Sequence, residues 1–191
     1  MKKSNQDQYY LDKEADDFFE RGKYDFSTLP DNKRSLVDGF KNLIHKDQVE
    51  NILEIGCHIG DLLNYSVKEF EATKGYGIEP SSKAVEEANK RFSKNCSVSR
   101  GVASEDQIFK SFPFCNLIII NDVFCWISRE SVLRSVANID ENLSEGGYLL
   151  IRDFFPDRKI RNQNMHVSDA EIFCHKVLGS HAQFFSSNRQ L

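Results

Sequence analysis

The feature that most constrains the fold is an alternation of short apolar runs with helically spaced segments, which begins near Asn51. Five runs have the length and composition of buried strands. They are residues 51–55, 75–78, 96–100, 116–121 and 148–152. Strands that alternate with helices favour a parallel sheet with right-handed crossovers and helices on both faces. The predicted fold class is therefore α/β, a doubly wound and mostly parallel sheet.

Helical periodicity predicts further elements around this sheet. Residues 15–21 and 35–44 are predicted to form helices over the carboxyl edge of the sheet, where ligands bind in such folds. Residues 1–48 are thus an N-terminal helical cover or lid, and residues 49–191 the core, within a single domain. Between the last two strands, a helix is predicted to bury one apolar stripe. The stripe consists of Val132, Leu133, Val136, Ile139 and Leu143.

Composition limits the size of the protein and its classes of partner. The 191 residues suffice for one buried core and are few for two domains. The formal net charge is −4 and both signs are mixed along the chain, so we expect no nucleic-acid partner. The most apolar run, residues 117–120, is far shorter than the roughly 20 residues of a membrane helix. We expect no membrane partner.

Cysteine and histidine usage predicts neither disulfides nor a metal site. The five cysteines lack a Cys-x-x-Cys pair and any regular spacing, which is typical of a reducing cytoplasm. His166, His175 and His181 lack the compact spacing of metal ligands. Polar residues 4–8 follow Met1-Lys-Lys, so we expect no secretion signal and a cytoplasmic location.

A glycine turn, Gly56-Cys-His-Ile-Gly60, follows the first strand, at the usual ligand contact of a doubly wound sheet. Gly56 permits a tight turn, Gly60 permits close approach to a ligand, and the N–H groups at the helix start favour an anionic group. Glu79 ends the second strand, where an acidic side chain is expected to accept hydrogen bonds from ribose hydroxyls. Glu54 would repel a pyrophosphate and favour a cation. The pattern predicts a nucleoside-containing ligand.

In these residues the sequence resembles the class I, Rossmann-like S-adenosylmethionine-dependent methyltransferases. The segment Leu53-Glu-Ile-Gly-Cys-His-Ile-Gly60 matches their first motif except at His58, where glycine is usual. The resemblance extends from about Val49 to Phe154, because residues 113–122 look like the fourth motif and residues 143–151 like the segment around strand five. The resemblance implies S-adenosyl-L-methionine as cofactor and a small-molecule methyl acceptor.

The resemblance also implies which residues bind the cofactor. Glu54 would lie near the methionine amino group, Gly56 and Gly60 would pack against the cofactor, and Glu79 would bind the ribose. Residues 101–104 would border the adenine. The full predicted set is Glu54, Gly56, Cys57, His58, Gly60, Glu79, Pro80, Val102, Ala103, Ser104, Asn121, Asp122 and Val123.

Two residues are candidates for catalysis, each with a structural alternative. Asp122 could orient or deprotonate the acceptor, or it could cap its own loop. His58 could act as a base or substrate ligand, or simply occupy the turn, since histidine tolerates unusual backbone angles. Aromatic and charged residues near the same edge are candidate substrate contacts, with ordinary packing or a solvated loop as the alternative. They are Tyr9, Tyr10, Phe19, Trp126, Arg152 and Asp153.

The C-terminal region departs from the family pattern. Family members usually finish with two antiparallel strands, whereas here only residues 171–177 have a clear strand pattern. Either residues 187–191 form a short last strand, or the sheet keeps an apolar edge that needs a partner. Formation of a homodimer is therefore one of the two predicted alternatives.

The expected function is transfer of a methyl group to oxygen or nitrogen of a small polar metabolite, with a leaning toward a sugar or sugar nucleotide. His58 and the short tail motivate an alternative, a catalytically impaired S-adenosylmethionine-binding partner or regulatory subunit. An NAD(P)-dependent oxidoreductase is less favoured, because its turn requires Gly-x-Gly-x-x-Gly, which Gly56-Cys-His-Ile-Gly60 does not provide.

Overall fold

The computed structural model of the chain describes residues 4–22, 28–154, 160–163, 171–174 and 183–186. Seven α-helices lie within these residues. They are α1 (Asn5–Tyr9), α2 (Ala15–Arg21), α3 (Asp31–Phe40), α4 (Asp61–Glu69), α5 (Ser82–Phe92), α6 (Asp106–Phe109) and α7 (Arg129–Asn142). A π-helical segment, Tyr10–Glu14, joins α1 to α2, and two 3₁₀ turns lie at Lys46–Gln48 and Phe124–Trp126. We call residues 5–21 the cover helix.

Eight strands lie within the described residues. They are β1 (Asn51–Ile55), β2 (Lys74–Glu79), β3 (Cys96–Arg100), β4 (Cys115–Asn121), β5 (Leu143–Arg152), β6 (Ile160–Gln163), β7 (Glu171–Cys174) and β8 (Gln183–Ser186). The main sheet has the order β3-β2-β1-β4-β5-β8. The first five strands are parallel, and β8 is antiparallel to β5. The predicted α/β fold with a parallel sheet is confirmed.

The strand order reverses between β1 and β4, which places the glycine turn at the crossing point. From β1 the chain continues to β2 and β3 on one side, and it returns to β4 on the other. In the register, Ile55 lies beside both Ile78 and Ile120. The carboxyl ends of these three strands therefore meet at one edge, where doubly wound sheets bind their ligands.

Both faces of the sheet are buried, because the central strands carry apolar residues on each of their two faces. Ile52, Leu117 and Ile119 pack on one face against Leu63 and Phe70. A second cluster covers the other face and includes Leu53, Ile55, Ile118, Ile120 and Ile139. These packed faces hold the carboxyl edge rigid.

The helix α7 differs from its predicted orientation. Ile139 is buried as predicted, but Leu133 and Val136 are 66% and 49% exposed. Polar residues occupy the inner face instead, because they have hydrogen-bond partners there: Asn138 Nδ2 donates to the Ala103 carbonyl at 2.9 Å. The prediction that the whole apolar stripe is buried is therefore wrong.

The C-terminal strands also differ from expectation. The predicted strand at residues 171–177 is present as Glu171–Cys174, but it pairs with β6 in a separate two-stranded sheet. The antiparallel strand of the main sheet is β8, beside β5. The alternative last strand at residues 187–191 lies outside the described residues.

The N-terminal helices agree with the sequence only in part. The predicted helix at residues 15–21 is confirmed as α2, but helical structure begins already at Asn5. The second predicted helix is displaced and spans Asp31–Phe40. In the described part of the chain, no helix combines the length and apolar character needed to cross a bilayer. The division into cover and core stays a prediction.

Gly77 in β2 provides a test of packing beneath the glycine turn. A Cβ atom on Gly77 would lie 2.5 Å from Cys57 Sγ and 3.0 Å from Val98 Cγ2. We expect Gly77→Ala to lower the free energy of unfolding in urea by about 1–3 kcal/mol. Replacing Cys57 by alanine in that background should recover part of the loss.

The matched control for Gly77 is Gly39, which lies in α3. A Cβ atom on Gly39 would contact nothing within 4 Å. Gly39→Ala should therefore raise the free energy of unfolding, by up to about 1 kcal/mol, because alanine is the better helix former. Equal destabilisation by both substitutions would contradict the packing argument.

Candidate functional site

The glycine turn after β1 has an unusual backbone. Gly56, His58 and Gly60 all have positive φ angles, of 71°, 50° and 76°. A Cβ on Gly56 would lie 2.5 Å from Val123 Cγ2, so glycine lets this turn touch the loop after β4. A Cβ on Gly60 would lie 3.3 Å from the Ala88 Cβ in α5. Gly60 therefore serves helix packing as well as the turn.

Glu79 joins the glycine turn to the loop after β2. Its side chain is buried, with Oε2 accepting a hydrogen bond from the His58 N–H at 2.8 Å and Oε1 from the Ser81 N–H at 2.9 Å. Burial raises the pKa of Glu79 to about 7, although the two N–H donors oppose this. Each oxygen keeps a further lone pair. The carboxylate can therefore accept hydroxyl donors while it holds the turn.

Glu54 is a second buried carboxyl group, at the end of β1. It is 2% exposed, and its Oε2 atom has no hydrogen-bond partner among the described residues. Burial raises the pKa of Glu54 to about 8. An ionised oxygen without a partner is costly in an apolar interior. A cationic or hydrogen-bond-donating ligand at this point would relieve that cost.

Lys33 in the first turn of α3 is a cation close to this site, and sequence reasoning missed it. Its charge lowers the pKa values of Glu54, Glu79 and Asp122. It also lowers the pKa of His58. These groups therefore share one electrostatic environment. Nothing in the residues around Lys33 distinguishes it from a surface lysine, so only the fold reveals its position.

His58 contacts the cover helix. Its ring centroid lies 6.1 Å from that of Phe18, edge-on, and 5.8 Å from that of Phe19. Burial, together with the charge of Lys33, lowers the pKa of His58 to about 4. The imidazole is therefore neutral near pH 7. These contacts support a role in anchoring the cover helix; the predicted role as base or substrate ligand stays a prediction.

Two aspartates attach the cover helix to the loops of the carboxyl edge. Asp7 is buried, and its Oδ2 accepts hydrogen bonds from Ser104 Oγ at 2.6 Å and Ser131 Oγ at 2.7 Å. Nine residues further on, Asp16 Oδ1 accepts hydrogen bonds from Ser81 Oγ at 2.6 Å and from the Lys83 N–H at 3.1 Å. The cover helix thus bridges the loops after β2 and β3 and the first turn of α7.

The Asp16 contact persists at every ordinary pH. Partial burial raises the pKa of Asp16, but hydrogen bonds from Ser81, Ser82 and the Lys83 N–H outweigh this and hold the pKa at about 2. The stabilisation from a lowered carboxyl pKa is present above the ordinary aspartate pKa of 3.8 and is lost only as pH falls toward 2. The carboxylate therefore stays ionised and bonded.

The loop after β4 is held by its neighbour β5. Asp153 caps the 3₁₀ turn, with Oδ2 accepting hydrogen bonds from the N–H groups of Val123 at 3.0 Å and Phe124 at 2.5 Å. Its Oδ1 accepts a further bond from the Cys125 N–H at 3.2 Å. This structural role of Asp153 was not predicted. Its predicted contact with the acceptor stays a prediction.

Asp122 is the exposed carboxyl group of the same loop. Its φ angle is 55°, and its N–H donates to the Arg152 carbonyl at 2.8 Å. The Arg152 guanidinium lies 3.7 Å from Asp122 Oδ2. Partial burial raises the pKa of Asp122, and the charge of Arg152 opposes this. Preceding it, Asn121 Oδ1 is buried without a hydrogen-bond partner among the described residues.

The structure brings most predicted cofactor residues to one edge, but not always through their side chains. Cys57 is 2% exposed and its thiol packs beside Gly77, so only its backbone is available to a ligand. Val102 and Ala103 are buried, and the Ser104 hydroxyl donates to Asp7. These positions can shape an adenine pocket, but Ser104 already serves the cover helix.

The predicted substrate residues have different environments. Tyr9 and Phe19 are half-buried on the cover helix, and Trp126 is 38% exposed. The Trp126 carbonyl accepts a hydrogen bond from the Gln6 side chain. Burial raises the pKa of the Tyr10 hydroxyl, and the nearby Glu14 raises it further. Tyr10 therefore stays protonated at neutral pH.

Glu14 is a further group that sequence reasoning missed. Its side chain is 5% exposed, and its Oε1 lies 2.6 Å from Arg21 NH2. It follows Asp7 by seven residues and Tyr10 by four, which places the three side chains along one helical face. This mixture of acidic and aromatic residues at helical spacing was visible in the sequence. Only their burial in the structure shows that these side chains point toward the interior.

Comparisons with known proteins give a family and a fold. The profile of a family described as a methyltransferase domain matches residues 7–189. A search of curated proteins finds no significant match.

Several solved structures resemble the chain. An O-methyltransferase of a trans-AT PKS multienzyme from Brevibacillus brevis, in complex with S-adenosyl-L-homocysteine, is 18% identical with a TM-score of 0.61 over 75% of this chain and 47% of that one. A second structure is an amino pentose methyltransferase of calicheamicin biosynthesis from Micromonospora echinaspora, with S-adenosylmethionine bound. It is 17% identical, with a TM-score of 0.53 over 78% of this chain and 58% of that one.

A third structure is described as an O-methyltransferase family protein from Burkholderia thailandensis. It is 12% identical, with a TM-score of 0.53 over 70% of this chain and 39% of that one. At these identities the structures establish the fold. The chain spans about half the length of the structures it matches.

The two aspartate contacts predict how tightly the cover helix is held. Removing both carboxylates, by Asp7→Ala and Asp16→Ala together, should speed amide hydrogen exchange in residues 5–21 by about a hundredfold or more. The reason is that hydrogen bonds to charged groups contribute about 1.5–3 kcal/mol each. The matched control is Asp12→Ala, because Asp12 is exposed and accepts a bond from Gln8 on the same helix. Unchanged exchange in the double variant would contradict the bridging role.

Proposed function

The chain belongs to the methyltransferase domain family, and we propose that it uses S-adenosyl-L-methionine to methylate oxygen or nitrogen of a small polar metabolite. The observation that carries the proposal is the pair of buried carboxyl groups, Glu54 and Glu79, at the ends of the adjacent strands β1 and β2. Burial raises the pKa values of both, to about 8 and about 7. Such a pair is suited to a ligand that carries both hydroxyl donors and positive charge.

The residues present fit the parts of this cofactor. Glu79 can accept the ribose hydroxyls through the lone pairs that His58 and Ser81 leave free. Glu54 Oε2, which has no partner among the described residues, can accept the amino group. Lys33, whose charge acts on both carboxyl groups, is the cation that we assign to the cofactor carboxylate. The cofactor supplies a methyl group on a positively charged sulfur.

The protein's own contribution is to orient the acceptor and to exclude water. Methyl transfer forms a bond from the acceptor to the methyl carbon as the carbon–sulfur bond breaks, so alignment provides much of the rate. The cover helix is bonded to the loops after β2 and β3 and to the first turn of α7, and it can close the site to water. Asp122 is the carboxyl group that we assign to take the acceptor proton, with Arg152 beside it.

The acceptor class is inferred from the chemistry around the site. Tyr10 and the part-exposed ring of Trp126 offer hydroxyl and aromatic surfaces near the cover helix. This combination suits a compact polar molecule, and we favour a sugar or sugar nucleotide. The fold resemblance to an amino pentose methyltransferase supports the same class. Buried free thiols at Cys57, Cys96 and Cys115 support action in a reducing cytoplasm.

The first test of the proposed function is cofactor binding by calorimetry at several pH values. Affinity should rise between pH 6 and pH 8, because Glu79 and Glu54, with pKa values of about 7 and about 8, must lose protons to accept hydroxyl and amino groups. Protonation one unit below a pKa weakens binding by about tenfold. Glu79→Gln should lose tenfold or more in affinity and remove the part of the pH dependence near pH 7, leaving the part from Glu54 near pH 8, while the exposed Glu86→Gln should change neither. No saturable binding would overturn the proposal.

The second test measures methyl transfer to a panel of sugars, sugar nucleotides and small amines. Asp122→Asn should lower kcat by about a hundredfold to ten-thousandfold if its carboxylate takes the proton, with cofactor affinity unchanged. His58→Ala, assayed in the same way, distinguishes anchoring of the cover helix from a role in chemistry. Loss of anchoring should lower cofactor affinity, whereas loss of a chemical role should lower kcat. Tight cofactor binding without transfer to any acceptor would favour the alternative of a catalytically impaired binding partner. That alternative is motivated by the presence of His58 where the first motif usually has glycine.

A further inference from the structure

The helix α7 buries uncharged polar residues and leaves two large apolar side chains exposed among charged ones. The residues that face the interior are mostly polar. They are Ser131, Ser135, Asn138, Ile139 and Asn142. Leu133 and Val136, in contrast, are 66% and 49% exposed. An amphipathic surface helix has the opposite arrangement when it packs only against its own domain.

Hydrogen bonds fix α7 in this orientation. Ser131 Oγ donates to Asp7 Oδ2 at 2.7 Å, and Asn138 Nδ2 donates to the Ala103 carbonyl at 2.9 Å. Asn142 Nδ2 lies 3.4 Å from the Phe109 and Pro113 carbonyl oxygens. Rotating the helix to hide Leu133 and Val136 would leave these buried polar groups without partners. Leu133 and Val136 therefore stay exposed within the part of the chain that the structure describes.

Four outward residues form a narrow line along α7. Arg129, Leu133, Val136 and Asp140 follow one another at spacings of four, three and four residues and are all exposed. Such spacing places side chains on one face of a helix. We call these four residues the α7 stripe. Both ends of the stripe are charged, with opposite signs, and its centre is apolar.

We propose that the α7 stripe is the contact of a symmetric homodimer in which two α7 helices pack antiparallel. A twofold axis at the midpoint of the stripe, between residues 134 and 135, brings Arg129 opposite the partner's Asp140 and Leu133 opposite the partner's Val136. The same axis repeats both pairs, as an isologous interface requires. The stripe is thus complementary to itself in charge and in apolar character.

Two alternatives are less consistent with the stripe. A parallel arrangement of the helices would put Arg129 beside the partner's Arg129, which is repulsive. A different protein partner would not require the pairing of charge and apolar residues to be symmetric about one point. The second copy of the chain is therefore the occupant that the stripe fits.

The size of the stripe sets the strength of the dimer. Stable interfaces bury about 800 Å² on each partner, and one pair of short helices buries less. We therefore expect a reversible dimer that forms at micromolar concentrations and dissociates on dilution. The Arg–Asp pairs lie at the rim and should determine alignment more than affinity.

Sedimentation velocity of the full chain across a range of protein concentrations tests the interface. The wild type should shift from monomer to dimer as concentration rises. Leu133→Glu should weaken dimerisation by tenfold or more, because it places two carboxylates at the centre of the contact. The matched control is Leu43→Glu, since Leu43 is 58% exposed and lies off the stripe. It should dimerise like the wild type.

A charge exchange tests the antiparallel alignment. Arg129→Asp and Asp140→Arg should each weaken the dimer, and the double variant should recover it. Neither substitution endangers the fold, because an acidic residue suits the first turn of a helix and a basic residue the last. A wild type that stays monomeric, or a dimer that Leu133→Glu leaves unchanged, would overturn the proposal. The second result would point to the sheet edge at β8.

Discussion

The site depends on one carboxyl group that accepts two backbone hydrogen bonds. Glu79 receives the N–H of His58 from the glycine turn and the N–H of Ser81 from the start of α5. These bonds join the ends of β1 and β2, which the parallel register has already brought side by side. The turn can therefore keep three residues at positive φ, since Glu79 and the close approach of Val123 to Gly56 hold it from both sides.

Two ionisable carboxyl groups are buried at the carboxyl edge of the sheet. Glu54 and Glu79 both have pKa values raised by desolvation, so the folded protein stabilises their protonated forms. Their contribution to stability is therefore present below the ordinary glutamate pKa of 4.5 and is lost as pH rises through their pKa values of about 8 and about 7. Lys33 opposes part of this loss. A positively charged ligand would oppose more of it, which links function to an otherwise unfavourable arrangement.

Sequence reasoning found the parts of the fold and site that local patterns determine. The five parallel strands, the glycine turn and Glu79 each follow from a short pattern, because strand burial and tight turns leave signatures within a few residues. Asp7 and Asp16 leave no such signature, since their hydrogen-bond partners lie far away in the chain. The same holds for Lys33, whose charge acts on Glu54, Glu79 and Asp122. The orientation of α7 was missed for the same reason: the carbonyl that Asn138 contacts belongs to Ala103.

The π-helical segment Tyr10–Glu14 has a consequence for the phase of the cover helix. Asp7 and Asp16 are nine residues apart, and a regular α-helix, with about 3.6 residues per turn, would project them to opposite sides. Both nevertheless bond to the core. The π segment has more residues per turn, so it reduces the angle about the helix axis between the two aspartates. Both side chains can then reach the core. The spacing of the two aspartates, and not only their chemistry, decides whether both ends of the cover helix can attach together.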